Sequence, residues 1–395
     1  MRIAYVCQSY PPMVSGAAIA VQRLAHGMAE RGHAVLVLAA SDRGRPYAET
    51  RDGLRLVRLR SFPNPLRVGQ RFALLPGSAM LSELGSFQPD VLHSHDPLGI
   101  GLTGIMTARA LGIPAVLTIH QLPWFVSSYL PDLPGLRRAV EAGLWAYARW
   151  VARQCDRLVT PSRTIAEIVA AHGAGSPEAI TNGVDLNVFS PQPSSPHEAA
   201  ALRRKYDLDP ARPIIMYAGR IDADKQVERV VEAAARVLRR TSAQLLIVGD
   251  GKRREAVIRL SEALGIRAHC RFPGYVSAPE ELSGLYRLAS VFVTASEVEI
   301  QSSVVMEAMA AGLPVVAVRA SSMPEFIAEG VSGYLVERRD ADTLAERLAQ
   351  LLQEPARARA MGEAGRAIAE RHSLDASFDA HQALYPSLSQ RVAVE

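Results

Sequence analysis

Cysteine is scarce. Cys7, Cys155 and Cys270 are the only three in 395 residues, and they lie far apart. That spacing fits neither a disulfide framework nor a metal knuckle, and it suits a reducing compartment. No apolar run approaches the ~20 residues a membrane-spanning helix needs. The opening MRIAYVCQSYPP starts as a strand and then meets Pro11-Pro12, which is not the pattern of a signal peptide. No short-period repeat is present, which excludes solenoids and propellers. Lysine is missing from the first 195 residues, where 18 Arg stand against 13 acidic residues for a net +5; the remainder carries 26 basic and 27 acidic residues. A basic first half suits an anionic partner, or it is a solvated arginine-rich surface; composition alone does not choose.

What is present reads as a soluble α/β protein of two domains. The length is too great for one ordinary core, and 48% apolar with 21% charged residues is globular. Ile3–Cys7 reads as a strand, Gln8–Gly16 as a turn, the next stretch to Gly32 as a helix, and Val35–Ala40 as a second strand. This is the opening of a doubly wound parallel sheet. Further strands fall at Val91–His93, Ala115–Ile119 and Leu158–Thr160. The pattern loosens near Asn182-Gly183-Val184-Asp185, and SPQPSSPH at 190–197 reads as a linker or exposed loop. A second α/β series follows, with strands at Ile214–Ala218, Leu245–Val248, Phe272–Val276, Val291–Val293, Val315–Val318 and Gly333–Val336. Helices fill the tail at roughly 341–353, 355–371 and 375–388. Ligands of such sheets bind outside the carboxyl ends of the strands, so a cleft between two facing domains is the expected site.

The most informative stretch is TASEVEIQSSVVMEAMAAGLPVV, Thr294–Val316. A buried strand breaks at Ser296, passes an acidic turn and becomes a helix near Ser303, with Ser302 or Ser303 as N-cap and Gly312 and Pro314 as the stop. The free amides of that first turn suit a phosphate. Glu299 and Glu307, ionised, accept hydrogen bonds from hydroxyls without donating. Gly219-Arg220 ends the first strand of the second half, and Lys225 follows just before a helix; the two cations could straddle a diphosphate. Gly249-Asp250-Gly251 lacks the endings of a P-loop or a dinucleotide fingerprint and reads as a tight turn beside a base pocket. His120 stands at a strand's carboxyl end, where it can orient or protonate a substrate or serve as a structural histidine. His93, His95 and Asp96 lack a further ligand at metal-binding spacing and read as substrate or hinge contacts.

Together these pieces resemble glycosyltransferase family 4, retaining enzymes of the GT-B fold. The specific motifs are Gly219-Arg220 with Lys225, Gly249-Asp250-Gly251, Gly274-Tyr275-Val276, and Ser296-x-x-Glu299 followed by Glu307-Ala308-Met309-Ala310-x-Gly312-x-Pro314-Val315. The first half adds Pro11-Pro12, Gly16, Gly32-His33-x-Val35, His120 and Asn182-Gly183-Val184-Asp185. The resemblance implies two Rossmann-like doubly wound domains facing across a cleft. Residues 1–188 would bind the acceptor, 189–372 the nucleotide-sugar, and 373–395 would return as a helix to the first domain. It implies that Arg220 and Lys225 hold the donor diphosphate, Glu307 the ribose and Glu299 the transferred sugar. The backbone of Gln301, Ser302, Ser303 and Val304 would cradle sugar and phosphate, Gly16 would let its loop approach the diphosphate, His120 would lie near the reaction centre, and Val276 would line the base pocket. No metal and no cofactor are implied, and Asp222-x-Asp224, a metal-binding pattern in some nucleotide-sugar enzymes, is read here as loop capping.

Two departures stand out. Ser15-Gly16 replaces the family's frequent Gly-Gly, and Gln226 replaces the usual Gly after the motif lysine. Bacterial enzymes that glycosylate diacylglycerol tend to share Ser-Gly and a Gln in the place of Gln301. The expectation is therefore hexose transfer from a UDP-sugar, or a GDP-sugar, to a lipid acceptor, by a cytoplasmic protein peripheral to the inner face of the cell membrane. Residues 122–157, with Leu122-Pro123-Trp124-Phe125 and a basic helix at 136–157 bearing Trp145 and Trp150, would meet an anionic membrane surface. An ordinary packing helix with snorkelling arginines is the other reading. The alternative acceptor is a soluble sugar or polysaccharide, and the distant alternative is a two-domain ligand-binding protein without chemistry. No nucleic-acid partner is expected.

Overall fold

The computed structural model describes the chain except residues 14, 65–69, 74, 125–133, 193 and 389–395, and except the side chain of residue 134. The chain forms two compact units, Met1–Gly183 with Leu374–Glu395, and Val184–Ser373. Val184 bridges to Ser373 and donates to the His372 carbonyl, so the chain enters the second unit there.

The first unit is built on an eight-stranded sheet. From edge to edge it runs Glu178–Ala179, Arg157–Thr160, Ala115–Thr118, Val91–Ser94, Arg2–Cys7, Ala34–Ala40, Leu54–Leu59 and Tyr47–Arg51. All neighbours are parallel except the last pair. Ile3–Cys7 is buried throughout, because helices cover both faces of a parallel sheet and leave no polar side. The edge hairpin of Tyr47–Arg51 and Leu54–Leu59 escaped the sequence reading; Asp52-Gly53, with both φ values positive, was its signal. The helix Pro134–Ala152 ends before the 157 read from the sequence, because Asp156 is already drawn into the sheet, with its N–H on the Ala115 carbonyl and its carboxylate accepting from Ala115 N–H. The tail helix Leu374–Leu384 packs on the same unit. Phe378 sits against Gly27, and Arg31 pairs with Asp375 and Asp379.

The second unit holds a six-stranded, all-parallel sheet in the order Cys270–Gly274, Gln244–Val248, Ile214–Ala218, Val291–Thr294, Val315–Val318, Gly333–Val336. The helix Val227–Leu238 shows how the sequence builds it: Val227, Val230, Val231, Ala234 and Val237 are buried, the i, i+3, i+4, i+7 stripe that one helix face turns to a sheet. Of the two readings of 190–197, linker or exposed loop, the described residues fit the second: they belong to the second unit and are mostly exposed. Phe189 is buried, Ser194 accepts from Arg287, and Ser195 and Glu198 form a capping box at the start of the helix Pro196–Lys205.

Each sheet leaves its first strand in both directions, which makes a topological switch point. In the first unit it lies between Arg2–Cys7 and Val91–Ser94, and in the second between Ile214–Ala218 and Val291–Thr294. The helix Ser303–Ala310 starts at the second of these. Its far end is held by Arg366, which donates to the Ala310 and Phe189 carbonyls, a cation on the last turn as the helix dipole favours. The helix Pro355–Glu370 crosses so closely that a Cβ on Gly362 would lie 1.9 Å from the Gly312 oxygen. An exposed helix gains about 1 kcal/mol from Gly→Ala. At Gly362 the sign should reverse, to a loss of about 1–3 kcal/mol from overpacking against backbone. A urea midpoint for Gly362→Ala at or above that of the parent chain would contradict the contact.

Candidate active site

At the switch point of the second unit, two loops meet. The first leaves Ile214–Ala218 through Gly219. The Gly219 N–H donates to Val248 O, and Gly249 N–H to Gly274 O, each at a strand's carboxyl end. A Cβ on Gly249 would lie 1.8 Å from the Gly219 oxygen, and both glycines have φ near +140°, a region closed to other residues. Gly219 and Gly249, expected to lie at the donor, also bring one loop against the other. Gly251 repeats this, with a Cβ placed 2.4 Å from Ile221 O. Beneath the loop, the buried Tyr217 hydroxyl donates to Arg220 O at 2.6 Å.

The charges sit on this platform. Arg220 pairs with Asp222 and, at 2.9 Å, with Asp224. Lys225 Nζ lies 2.5 Å from Glu299 Oε1, 3.4 Å from Ser296 Oγ and 3.8 Å from Asp224. The Lys225 and Glu299 side chains are only 16% and 12% exposed, so neither charge relies on solvent. Two cations thus stand among three carboxylates. Asp222 also accepts from Lys252 N–H at 3.0 Å. The Asp-x-Asp pair therefore braces Arg220 and the neighbouring loop, and no cluster of three metal-ligating side chains occurs among the described residues. Lysine is rare here, with only Lys205, Lys225 and Lys252 among 44 basic residues; a chain that otherwise uses arginine places a compact ammonium at this point.

The second loop leads from Thr294 to the helix. Ser322 holds it by donating to Glu299 O at 3.1 Å. Ser302 is the N-cap, yet its hydroxyl makes no capping bond and is buried without a hydrogen-bond partner among the described residues. The first-turn amides, Ser303 and Val304 among them, are thus left without the usual side-chain cap. Gln301 is buried beside them. Glu307 is buried in the same helix and accepts from the Tyr286 hydroxyl at 3.3 Å. Val276 is half-buried and packs against the core of this unit.

In the first unit, Ser15 is the N-cap of the helix Gly16–Glu30 and accepts from Ala18 N–H at 3.1 Å. The Ser-Gly departure thus adds a side-chain cap, worth about a few tenths of a kcal/mol over the glycine it replaces. Among the described residues nothing lies within 4 Å of a Cβ built on Gly16, so no contact with them demands a glycine there. His120 is half-buried after its strand, and its Nε2 lies 3.0 Å from His95 Nδ1. His93 is wholly buried between Thr118 Oγ1 at 2.7 Å and the Tyr385 hydroxyl at 2.8 Å. Its reading as a substrate or hinge contact is corrected: strand alternation turns it into the core. Asp96 accepts from Gln8 N–H and ties the loop after the first strand to the switch point. Sequence reasoning gave no role to Tyr217, Tyr286 or Ser296, and none to the His95–His120 pair; the last had a signal, a histidine at each of two adjacent strand ends.

Of the proposed membrane segment, residues 125–133 lie outside the described residues, Phe125 among them. Trp145 is buried and stacked on His172 with centroids 3.9 Å apart, whereas Trp150 is 42% exposed. No helix among the described residues is long and apolar enough to cross a membrane.

Residues 198–368 match the family described as Glycosyl transferases group 1, and residues 14–188 match Glycosyltransferase Family 4. A GDP-mannose-dependent alpha-mannosyltransferase of Mycolicibacterium smegmatis is 34% identical over 346 residues, covering 85% of this chain and 84% of the relative. An alpha-monoglucosyldiacylglycerol synthase of Streptococcus pneumoniae is 26% identical over 319 residues, covering 80% and 71%. Among solved structures, sucrose-phosphate synthase from Thermosynechococcus elongatus superposes with a TM-score of 0.81 at 23% identity over 98% of both chains, the GT-B fold.

Two outcomes follow from this geometry. Gln226 adopts φ +50°, a left-handed conformation that costs a side-chain-bearing residue roughly 1 kcal/mol or more. Gln226→Gly should therefore raise stability by up to about 1 kcal/mol in urea unfolding, and a loss would be inconsistent with that strain. Burial lowers the pKa of His120 and His381 to about 4 and that of His93 and His95 well below 6.5. Unfolded, these rings bind protons near 6.5, so below that pH the unfolded state takes up protons the folded state refuses. Stability should be flat above about 6.5 and fall, on the order of several kcal/mol, as pH drops toward 4. A melting temperature unchanged across that window would refute the assignment.

Proposed function

The chain belongs to glycosyltransferase family 4, and from that premise we propose that it moves a hexose, with retention and without a metal ion, from a nucleoside-diphosphate sugar to a lipid-type acceptor. The observation that carries the reading is the half-buried charge cluster at the second switch point: Arg220 and Lys225 beside Glu299 and the uncapped start of the helix Ser303–Ala310. Such a set fits a diphosphate, with the two cations and the first-turn amides as donors. Glu299 fits a hydroxyl of the transferred sugar, Glu307 the ribose diol, and Val276 the base. An incoming diphosphate would replace carboxylate partners of the cations, so those charges stay compensated before and after binding. In the transition state the leaving diphosphate gains negative charge, and fixed donors stabilise it where it forms. The leaving oxygen takes the acceptor proton as the new bond forms on the same face of the sugar.

The donor base has two readings. A UDP-sugar is the donor expected from the sequence, though no motif fixes the base; the 34% identical mannosyltransferase, described as GDP-mannose-dependent, favours GDP-mannose. The lipid acceptor is supported by Ser15-Gly16 and Gln301, by the resemblance to a glucosyldiacylglycerol synthase, and by the exposed Trp150 and Leu136 on an arginine-bearing helix. Peripheral attachment to an anionic membrane face follows from the same helix.

Arg220→Ala and Lys225→Ala should each lower kcat by about 10²–10³-fold, the usual scale for removing one donor to developing charge. Near-parent turnover in either variant would sink the assignment. Thermal shift with UDP-glucose and GDP-mannose should name the base, and mass spectrometry of products formed with lipid extracts should show a glycolipid. Products found only with soluble sugars would reject the lipid acceptor.

A further inference from the structure

One pair in the first unit is left unused by the charge cluster of the second. His95 Nδ1 and His120 Nε2 lie 3.0 Å apart, with their rings near-parallel at 19° and 5.2 Å between centroids. Burial keeps both rings neutral near pH 7. Two neutral imidazoles sharing one hydrogen bond must divide the roles: one donates, the other accepts. The other nitrogen of His95 decides which. His95 is 4% exposed, and its Nε2 has no hydrogen-bond partner among the described residues. If His95 Nδ1 accepted, the ring's proton would sit on Nε2 as a buried, unpartnered N–H. If Nδ1 donates, Nε2 is only a bare lone pair. Orphaned buried N–H groups are rarer than under-used acceptors, so the proton belongs on His95 Nδ1. His120 Nε2 must then accept, which leaves the His120 proton on Nδ1, an atom with no hydrogen bond to the described residues.

We propose that His95 is a positioning residue that holds His120 in its Nδ1–H tautomer, so that His120 meets the bound substrate as a hydrogen-bond donor to an oxygen and not as a base. The assignment rests on the glycosyltransferase reading for the identity of that oxygen, a sugar hydroxyl, and on the first unit alone for the tautomer. Neighbouring contacts hold the arrangement in place: His93, stacked on His95 with centroids 4.3 Å apart, is fixed by Thr118 and Tyr385. His95 therefore has little freedom to turn its ring over and exchange its two nitrogens.

The test is a long-range proton–nitrogen spectrum of the full chain labelled with ring-¹⁵N histidine, with His120 assigned by its loss in His120→Gln. The expected pattern is a protonated Nδ1 and an unprotonated Nε2 on His120; the opposite pattern overturns the proposal, whatever the enzyme's substrate proves to be. Kinetics give the second readout. His95→Leu removes the donor and should lower kcat on the order of 100-fold, the scale of a misplaced proton-bearing group. His95→Asn places an amide N–H where Nδ1 stood and should restore kcat to within about 5-fold of the parent. Equal losses in the two variants would overturn the positioning role, and if His95→Leu fails to fold, the spectrum of the parent chain still decides. Absence of transfer with every sugar nucleotide would instead fell the proposed function and leave the tautomer to the spectrum.

Discussion

The contact on which the candidate site turns is the one between Lys225 and Glu299. It joins the loops that leave two neighbouring strands, Ile214–Ala218 and Val291–Thr294, at the point where the sheet changes direction. Neither side chain is well solvated, and a charge of that kind left alone in a protein interior is costly. The pair therefore fixes the spacing of the loops while keeping each charge compensated. Arg220 follows the same logic with Asp222 and Asp224. The two cations are thereby held near each other without a bare pair of positive charges repelling.

That arrangement depends on backbone as much as on charge. Gly249 and Gly251 let their loop touch the loop of Gly219 and Ile221 main chain to main chain, and the Tyr217 hydroxyl fixes the Arg220 carbonyl from below. At the other end of the helix Ser303–Ala310, Gly362 and Arg366 press on its last turn. The helix is anchored at its carboxyl end by a cation and left open at its amino end. This polarity suits an anion at the start of the helix, where the dipole and the free N–H groups point the same way.

The first unit solves a different problem. Four histidines, His93, His95, His120 and His381, share one buried region with Tyr5 and Tyr385. Packed rings at this density stay neutral, because each added charge would be desolvated and would repel its neighbours. The tail helix supplies His381 and leads directly to Tyr385, so the environment of His93 is completed by residues almost three hundred positions further on. No local pattern in the chain could reveal such a partner.

The sequence by itself determined the α/β class, the two-domain organisation, most strand positions and the motifs that fall at strand ends. Hydrophobic period and turn residues are local signals, and the chain carries them openly from Ile3–Cys7 to Gly333–Val336. It also singled out Arg220, Lys225, Glu299 and Glu307 as candidates, because family motifs are strings. Only the tertiary structure decided what those residues touch: that Asp222 and Asp224 brace Arg220, that the motif glycines serve loop-to-loop contact, that Ser302 leaves its helix uncapped, that Gln226 sits in a strained turn, and that His93 is core while His95 abuts His120. The reason is that side-chain pairing and burial depend on which distant segments the sheet order brings together, and that order is a property of the whole chain's packing.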